Sequence, residues 1–189
     1  CKAAARFYME TLLSDGGKPG RQYIAKRGLS SEAVKRFGIG YAPDSWDALK
    51  KHLTEQGFYE EELMEAGLLV RNKTKNSTYD TFRNRVIFPI IGVDQHVLGF
   101  GARVLTNEKP KYINTEDTLI YNKRKNLYGL NLQKGSKLSD IIIVEGYTDV
   151  IGLYEAGITN AVASLGTALT VHQASLLKRY TELIYIAYD

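Results

Sequence analysis

Three acidic side chains stand where the pattern of the chain would let a ligand meet them. Glu145 and Asp149 lie in IIIVEGYTDVIGLYEAG, residues 141–157, and Asp189 follows the apolar run in ELIYIAYD, residues 182–189. An apolar run such as IIIV, without polar alternation, is the pattern of a parallel strand covered on both faces. Glu145 then stands at the carboxyl end of that strand, and Asp189 at the carboxyl end of a later one. Ligands of open α/β sheets bind beyond those ends, so Glu145 and Asp189 face one crevice and form the candidate catalytic pair. Asp149 falls four residues after Glu145, in the first turn of a helix, where a negative charge suits the positive end of the dipole. The plainer reading is a solvated glutamate and an aspartate that only trims the dipole, and spacing alone leaves both open.

A second group carries positive charge. Arg83, Arg85, Arg103, Lys109, Lys111, Lys123, Arg124 and Lys125 alternate with Phe82, Phe88, Phe100, Tyr112, Tyr121 and Tyr128. Cations neutralise phosphates and flat rings stack on unpaired bases, so together they sketch a surface for nucleotides or single strands. Most of the rings alternate within apolar segments and are better read as core. Lys123–Lys125 reads equally as a solvated turn. Arg103 follows FGA on an apolar strand and needs either an anion or a buried partner.

The elements that must hold these groups can be read along the chain. After IIIV, the residues Tyr147, Val150, Ile151 and Tyr154 fall at helical spacing, with Gly157 as a left-handed stop and Gly146 as the hinge that turns the chain and lets a ligand approach. Residues 158–164 predict a second strand. Thr170 and Gln173 have the spacing of a capping box, which starts a helix near Val171 that runs to about Tyr180. Alternating strands and helices imply right-handed crossovers and a parallel sheet.

Before residue 67 the pattern is helical. Ala4, Phe7, Tyr8 and Leu12 form one stripe, SDGGKPG breaks it, and RQYIAKRGLSSEAVKRFG gives two short helices parted at 28–30. WDALKKHLTEQG and EEELMEAG give two more, ending at Gly57 and Gly67. From 68 to about 105 the texture is β: LLV, RVIFPIIG and HVLGFGARVL, with GVDQ as a hairpin connection. Pro89 has no N–H for a ladder and predicts an edge or a bulge.

With 189 residues, 44% hydrophobic and 24% charged, the composition is that of a soluble globular protein with one sizeable core or two small ones. No apolar stretch approaches a membrane span, and CKAAARFYMETLL lacks the apolar centre of a signal peptide, which points to a cytoplasmic protein. Cys1 is the one cysteine, and His52, His96 and His172 are scattered, which excludes a disulfide framework and a zinc motif. A net charge of +4 and a pI near 9.0 lean mildly towards an anionic partner.

Taken in order, RQYIAKRGLS, RNRVIFPI, GFGARVL, PKYINT, YNKRKNLYGL, VEGYTDV and ASLGTAL resemble the RNA polymerase core of bacterial DNA primases of the DnaG type, running into the TOPRIM fold shared with topoisomerases. The resemblance implies an α/β protein: an α+β amino-terminal subdomain over 1–135, then a TOPRIM-type parallel sheet with helices on both faces over 136–189, cut short at its end. It implies primer synthesis on single-stranded DNA from ribonucleoside triphosphates. Glu145 and Asp189 would be catalytic carboxylates, and Glu145, Asp149 and Asp189 would hold Mg²⁺ or Mn²⁺. Whether Glu145 is ligand or general base stays open. Arg83, Arg85, Arg103, Lys111, Asn114 and Lys123 would meet template, primer or incoming nucleotide. Thr81 replaces a basic residue common in the family, which implies weaker binding there. The resemblance further implies a zinc-binding domain and a domain for the replicative helicase outside this sequence. Another TOPRIM enzyme, a topoisomerase or an OLD-type nuclease, is the alternative. A fragment that binds single-stranded DNA or nucleotides without chemistry is the other.

Overall fold

The structure, a computed structural model, describes residues 1–72, 74, 76–106, 109–133, 138–166 and 168–188. Its amino-terminal part comprises α1 (Lys2–Leu13), α2 (Lys18–Lys26), α3 (Ser31–Phe37), β1 (Gly40–Ala42), α4 (Ala48–Glu55) and α5 (Glu60–Glu65). Ala4, Tyr8 and Leu12 of the predicted stripe are buried, with Phe7 packed beside them. α2 begins before Arg21 because Pro19 fits the first turn of a helix, where its missing N–H has no partner to lose. The break at 28–30 ends when the Ser30 hydroxyl accepts the Ala33 N–H at 3.1 Å and starts α3.

Helix α4 is capped from a distance. The Asp80 carboxylate accepts the N–H groups of Leu49 at 2.8 Å and Lys50 at 3.0 Å. Burial pushes Asp80 up to about 6, although the two N–H bonds pull the other way. Asp80 ends β3 (Ser77–Asp80), which pairs with β2 (Leu69–Asn72) in an antiparallel hairpin.

The central sheet is antiparallel in the order β1-β4-β5-β6, with β4 (Arg85–Ile91), β5 (Val97–Val104) and β6 (Tyr112–Asn114). GVDQ forms the predicted hairpin connection, closed by Gln95 N–H to Gly92 O at 2.9 Å. β1 pairs only with Arg85–Ile87, so β4 is an edge on that side at Pro89, and the register shifts just beyond it, between Ile90 and Ile91. Val86, Phe88 and Ile90 point into one core with residues of α2 and α3, whereas Ile87 points into a second core with α1 and α4.

The carboxyl-terminal part is the predicted alternation: β7 (Ile141–Val144), α6 (Tyr147–Glu155), β8 (Ala161–Ala163), α7 (Val171–Leu177) and β9 (Ile184–Ile186). The strands are parallel in the order β8-β7-β9. Val144, Ala161 and Ala163 join Val150 and Ile151 of α6 in one core, and Ile141, Ile143 and Val162 join Leu177 of α7 in another. Both faces are therefore covered at β7 and β8, whereas Tyr185 and Ile186 of β9 are exposed. Gly157 takes the left-handed conformation at φ +83° after α6. The capping box holds: Thr170 Oγ1 accepts Gln173 N–H at 3.2 Å and Gln173 Oε1 accepts Thr170 N–H at 3.0 Å. Among the described residues, no helix is long and apolar enough to cross a membrane.

Candidate functional site

The site begins with register. Strands β4, β5 and β6 align Phe88 with Gly101 and Gly101 with Asn114, and in the next row Val86 with Arg103 and Arg103 with Tyr112. Because side chains alternate, both rows lie on one face of the sheet. Gly101 leaves a slot in the first row. Tyr147 fills it: a Cβ at position 101 would lie 2.5 Å from the Tyr147 ring. The Tyr147 ring stacks on Phe88 at 5.5 Å and 12°, and its hydroxyl donates to Asn114 Oδ1.

Tyr147 starts α6, two residues after Glu145, so this contact seats the end of β7 against the antiparallel sheet. Glu145 is exposed there. Gly146 departs from the expectation of a conformational hinge. Its backbone is extended at φ −146°, which any residue adopts, and an added Cβ would meet only Asp149 Oδ2, at an ordinary 3.5 Å. Its N–H donates to Asp149 Oδ2 at 2.9 Å, so the aspartate closes the helix amino terminus from within the first turn. Asp189 lies outside the described residues.

Glu145, Asp149, Asn114 and Tyr112 line one open cavity of about 270 Å³. Asn114 also borders a larger cavity of about 710 Å³ that Lys123 lines. The exposed carboxylates of Glu145 and Asp149 suit a hard divalent cation, because Mg²⁺ takes one or two carboxylates and completes its shell with phosphate oxygens and water. Among the described residues, no three His, Cys, Asp or Glu side chains gather into a fuller metal site.

Arg103 lies half-buried between rings, its guanidinium 4.7 Å from the Tyr23 centroid and 5.6 Å from that of Tyr112. Arg27 approaches Tyr23 at 5.6 Å. Arg103, Arg27 and Lys26 line a cleft of about 510 Å³ whose wall has no carboxylate among the described residues. The Arg103 Nε is buried and finds no partner among the described residues. Tyr112 lines the Glu145 cavity and touches Arg103, so the two sites adjoin through one ring.

The other cations are dispersed. Arg83 lies over Trp46 at 4.2 Å and Tyr79 at 5.1 Å and donates to Asp80 O. Trp46 is 64% exposed and meets Tyr79 edge-on at 5.2 Å. Arg85 Nη1 donates to Pro110 O at 3.4 Å. Lys111 is exposed beside it. Lys123 is tied through its backbone, with its N–H on Asp117 Oδ1 at 3.0 Å and its carbonyl accepting from Gln173 Nε2 at 3.0 Å. Arg83, Arg85 and Lys111 line none of these three cavities. As expected, Phe82, Phe88, Phe100, Tyr121 and Tyr128 are core, and Tyr112 is the ring left at the surface. Tyr23, Arg27, Trp46 and Tyr147 were not among the predicted site residues. Tyr23 and Arg27 sit in the RQYIAKRGLS motif and Tyr147 in VEGYTDV, where its helical spacing marks it as core, whereas Trp46 carries no signal in spacing.

Residues 7–134 match the family model of the DNA primase catalytic core, N-terminal domain, and residues 139–189 match that of the Toprim domain. The chain is 48% identical over 187 residues to the DNA primase of Clostridium acetobutylicum, covering 98% of this chain and 31% of that protein. It is 43% identical over 185 residues to the DNA primase of Escherichia coli K12, covering 97% and 32%. The chain thus spans about a third of the length of these relatives. Among solved structures, the Escherichia coli primase catalytic core superposes with a TM-score of 0.91 at 42% identity, covering 96% of this chain and 58% of that one. A DnaG primase catalytic domain bound to single-stranded DNA gives 0.90 at 43% identity, covering 98% and 58%.

Proposed function

The chain belongs to the bacterial DnaG-type DNA primases, and from that membership we propose that it forms part of a catalytic core that makes short RNA primers on single-stranded DNA. The observation that supports this most is the seating of the β7 end, with Glu145, on the sheet face that carries Arg103 and Tyr112. Carboxylates and cations then meet around adjoining cavities, as a reaction between anionic substrates requires.

In primer synthesis the 3′ hydroxyl of one ribonucleotide attacks the α-phosphorus of the next. A new P–O bond forms and pyrophosphate leaves. When bound, Mg²⁺ or Mn²⁺ supplies the charge that acidifies the attacking hydroxyl and offsets the leaving group. Glu145 and Asp149 would hold it, with Asp189 as a further catalytic carboxylate; Glu145 acts as ligand or as the base that takes the hydroxyl proton. Arg103, Arg83, Arg85, Lys111 and Lys123 bind phosphates of template, primer or incoming nucleotide, and Arg27 adds to the cleft beside Arg103.

On this reading residues 1–135 and 136–189 act as two subdomains, one for nucleic acid and one for chemistry. The parent enzyme's zinc and its contact with the replicative helicase belong to segments outside this sequence. A cytoplasmic location is part of the same reading, because template and nucleotides are there.

The test is incorporation of ribonucleotides by the full-length parent on single-stranded DNA. Short RNA products that require Mg²⁺ or Mn²⁺ and vanish with a chelator are expected. Nicking or relaxation of supercoiled DNA, without RNA products, would favour a nuclease or topoisomerase instead.

A further inference from the structure

We infer that Asn114 and Tyr147 form a strut that sets the Glu145 loop against the basic sheet face, which makes Asn114 a positioning residue. The inference rests on the proposed primer synthesis and assigns how that site is held. Both polar atoms of the Asn114 side chain have partners within the protein: Oδ1 accepts the Tyr147 hydroxyl, and Nδ2 donates to Leu165 O at 3.3 Å. Tyr147 follows β7 and Leu165 follows β8, so one side chain of β6 holds the exits of two neighbouring parallel strands.

The seat is specific to a tyrosine. The register places Phe88, Gly101 and Asn114 side by side, and the ring lies on Phe88, over the bare backbone of Gly101, with its hydroxyl on Asn114. Tyr128 closes the seat edge-on at 4.8 Å and 74°. Burial raises the Tyr147 phenol well above its ordinary range, so it stays a neutral donor at any working pH. Gly166 fits tightly on the far side, where an added Cβ would lie 3.2 Å from Asn114 Nδ2. A phenylalanine would keep the stack and lose the strut. An alanine at 114 would lose both ties.

The experiment compares Tyr147→Phe, Asn114→Ala and the double variant in the full-length parent. Each single variant is expected to lower kcat for primer synthesis by about 10-fold, the scale of one buried hydrogen bond left unmade. The KM for ribonucleotides and the Kd for single-stranded DNA should stay within about 2-fold. The double variant should be no slower than the slower single one, because the two residues act as a unit. A rise of about 10-fold in Kd or KM for Asn114→Ala, with Tyr147→Phe silent, would overturn the inference, as would effects that multiply in the double variant. Amide hydrogen exchange decides the point without activity. Residues 145–149 should exchange faster in both single variants than in the parent, and unchanged exchange in both would sink the strut. Should the unsubstituted enzyme make no primers, the proposed function fails while exchange still tests the strut.

Discussion

Asp149 accepts the Gly146 N–H at 2.9 Å, so the carboxylate four residues beyond Glu145 also fixes the backbone between them. Two roles therefore meet in one side chain, and they separate by substitution. Asp149→Ala should cost about 1 kcal/mol of stability, as the loss of a cap does, read as a lower urea midpoint. Asp149→Asn keeps an acceptor and should stay within about 0.5 kcal/mol of the parent, yet need more Mg²⁺ for primer synthesis. Equal Mg²⁺ dependence in the Asn variant would leave Asp149 as a cap alone.

Arg103 and Lys111 should answer differently to the same change. Arg103 is half-buried between Tyr23 and Tyr112, so Arg103→Ala should weaken DNA binding and also cost about 1 kcal/mol of folding stability through the lost ring contacts. Arg103→Lys keeps the charge and should recover little of either, because an ammonium cannot lie flat between the rings. Exposed Lys111 should lose affinity on change to Ala with its melting temperature nearly unmoved. Thermal melts alongside fluorescence anisotropy would separate the two.

Binding of single-stranded DNA should weaken steeply with salt as counterions are released. Each cation that meets a phosphate contributes roughly 0.7 to the slope of log K against log salt. Arg83→Ala, Lys111→Ala and Lys123→Ala should each lower the slope by about that amount. A slope that none of them changes would move the binding surface elsewhere.

Asp80 predicts a pH dependence of folding. Its folded value is raised to about 6 from an ordinary 3.8, so the native state holds a proton that the unfolded chain has released. Its contribution is therefore fully present below about pH 4 and is lost as pH rises through 6. Asp80→Asn should flatten urea stability across that window while keeping one acceptor for the α4 N–H groups. An unchanged pH profile would show that Asp80 does not titrate there.

The parts of this molecule that sequence reveals are those built from near neighbours. The strand Ile141–Val144, the helix from Tyr147 and the Thr170–Gln173 box follow from patterns a few residues long. The short strands Gly40–Ala42, Ser77–Asp80 and Tyr112–Asn114 carry no periodicity of their own and exist because a partner strand pairs with them. The site divides in the same way. Glu145 and Asp149 announce themselves by position, whereas the Tyr147–Asn114 bond joins residues 33 apart and the Tyr23–Arg103 contact joins α2 to β5. Gly146 misleads, because glycine after a strand reads as a hinge although its backbone here is extended.

In the proposed function Glu145 carries chemistry while the basic face carries binding. Glu145→Gln in the full-length parent removes the charge and keeps the shape, at an exposed position that packing does not depend on. Primer synthesis should fall below detection while the Kd for single-stranded DNA stays within about 2-fold. Robust synthesis by the Gln variant would mean that other groups carry the chemistry.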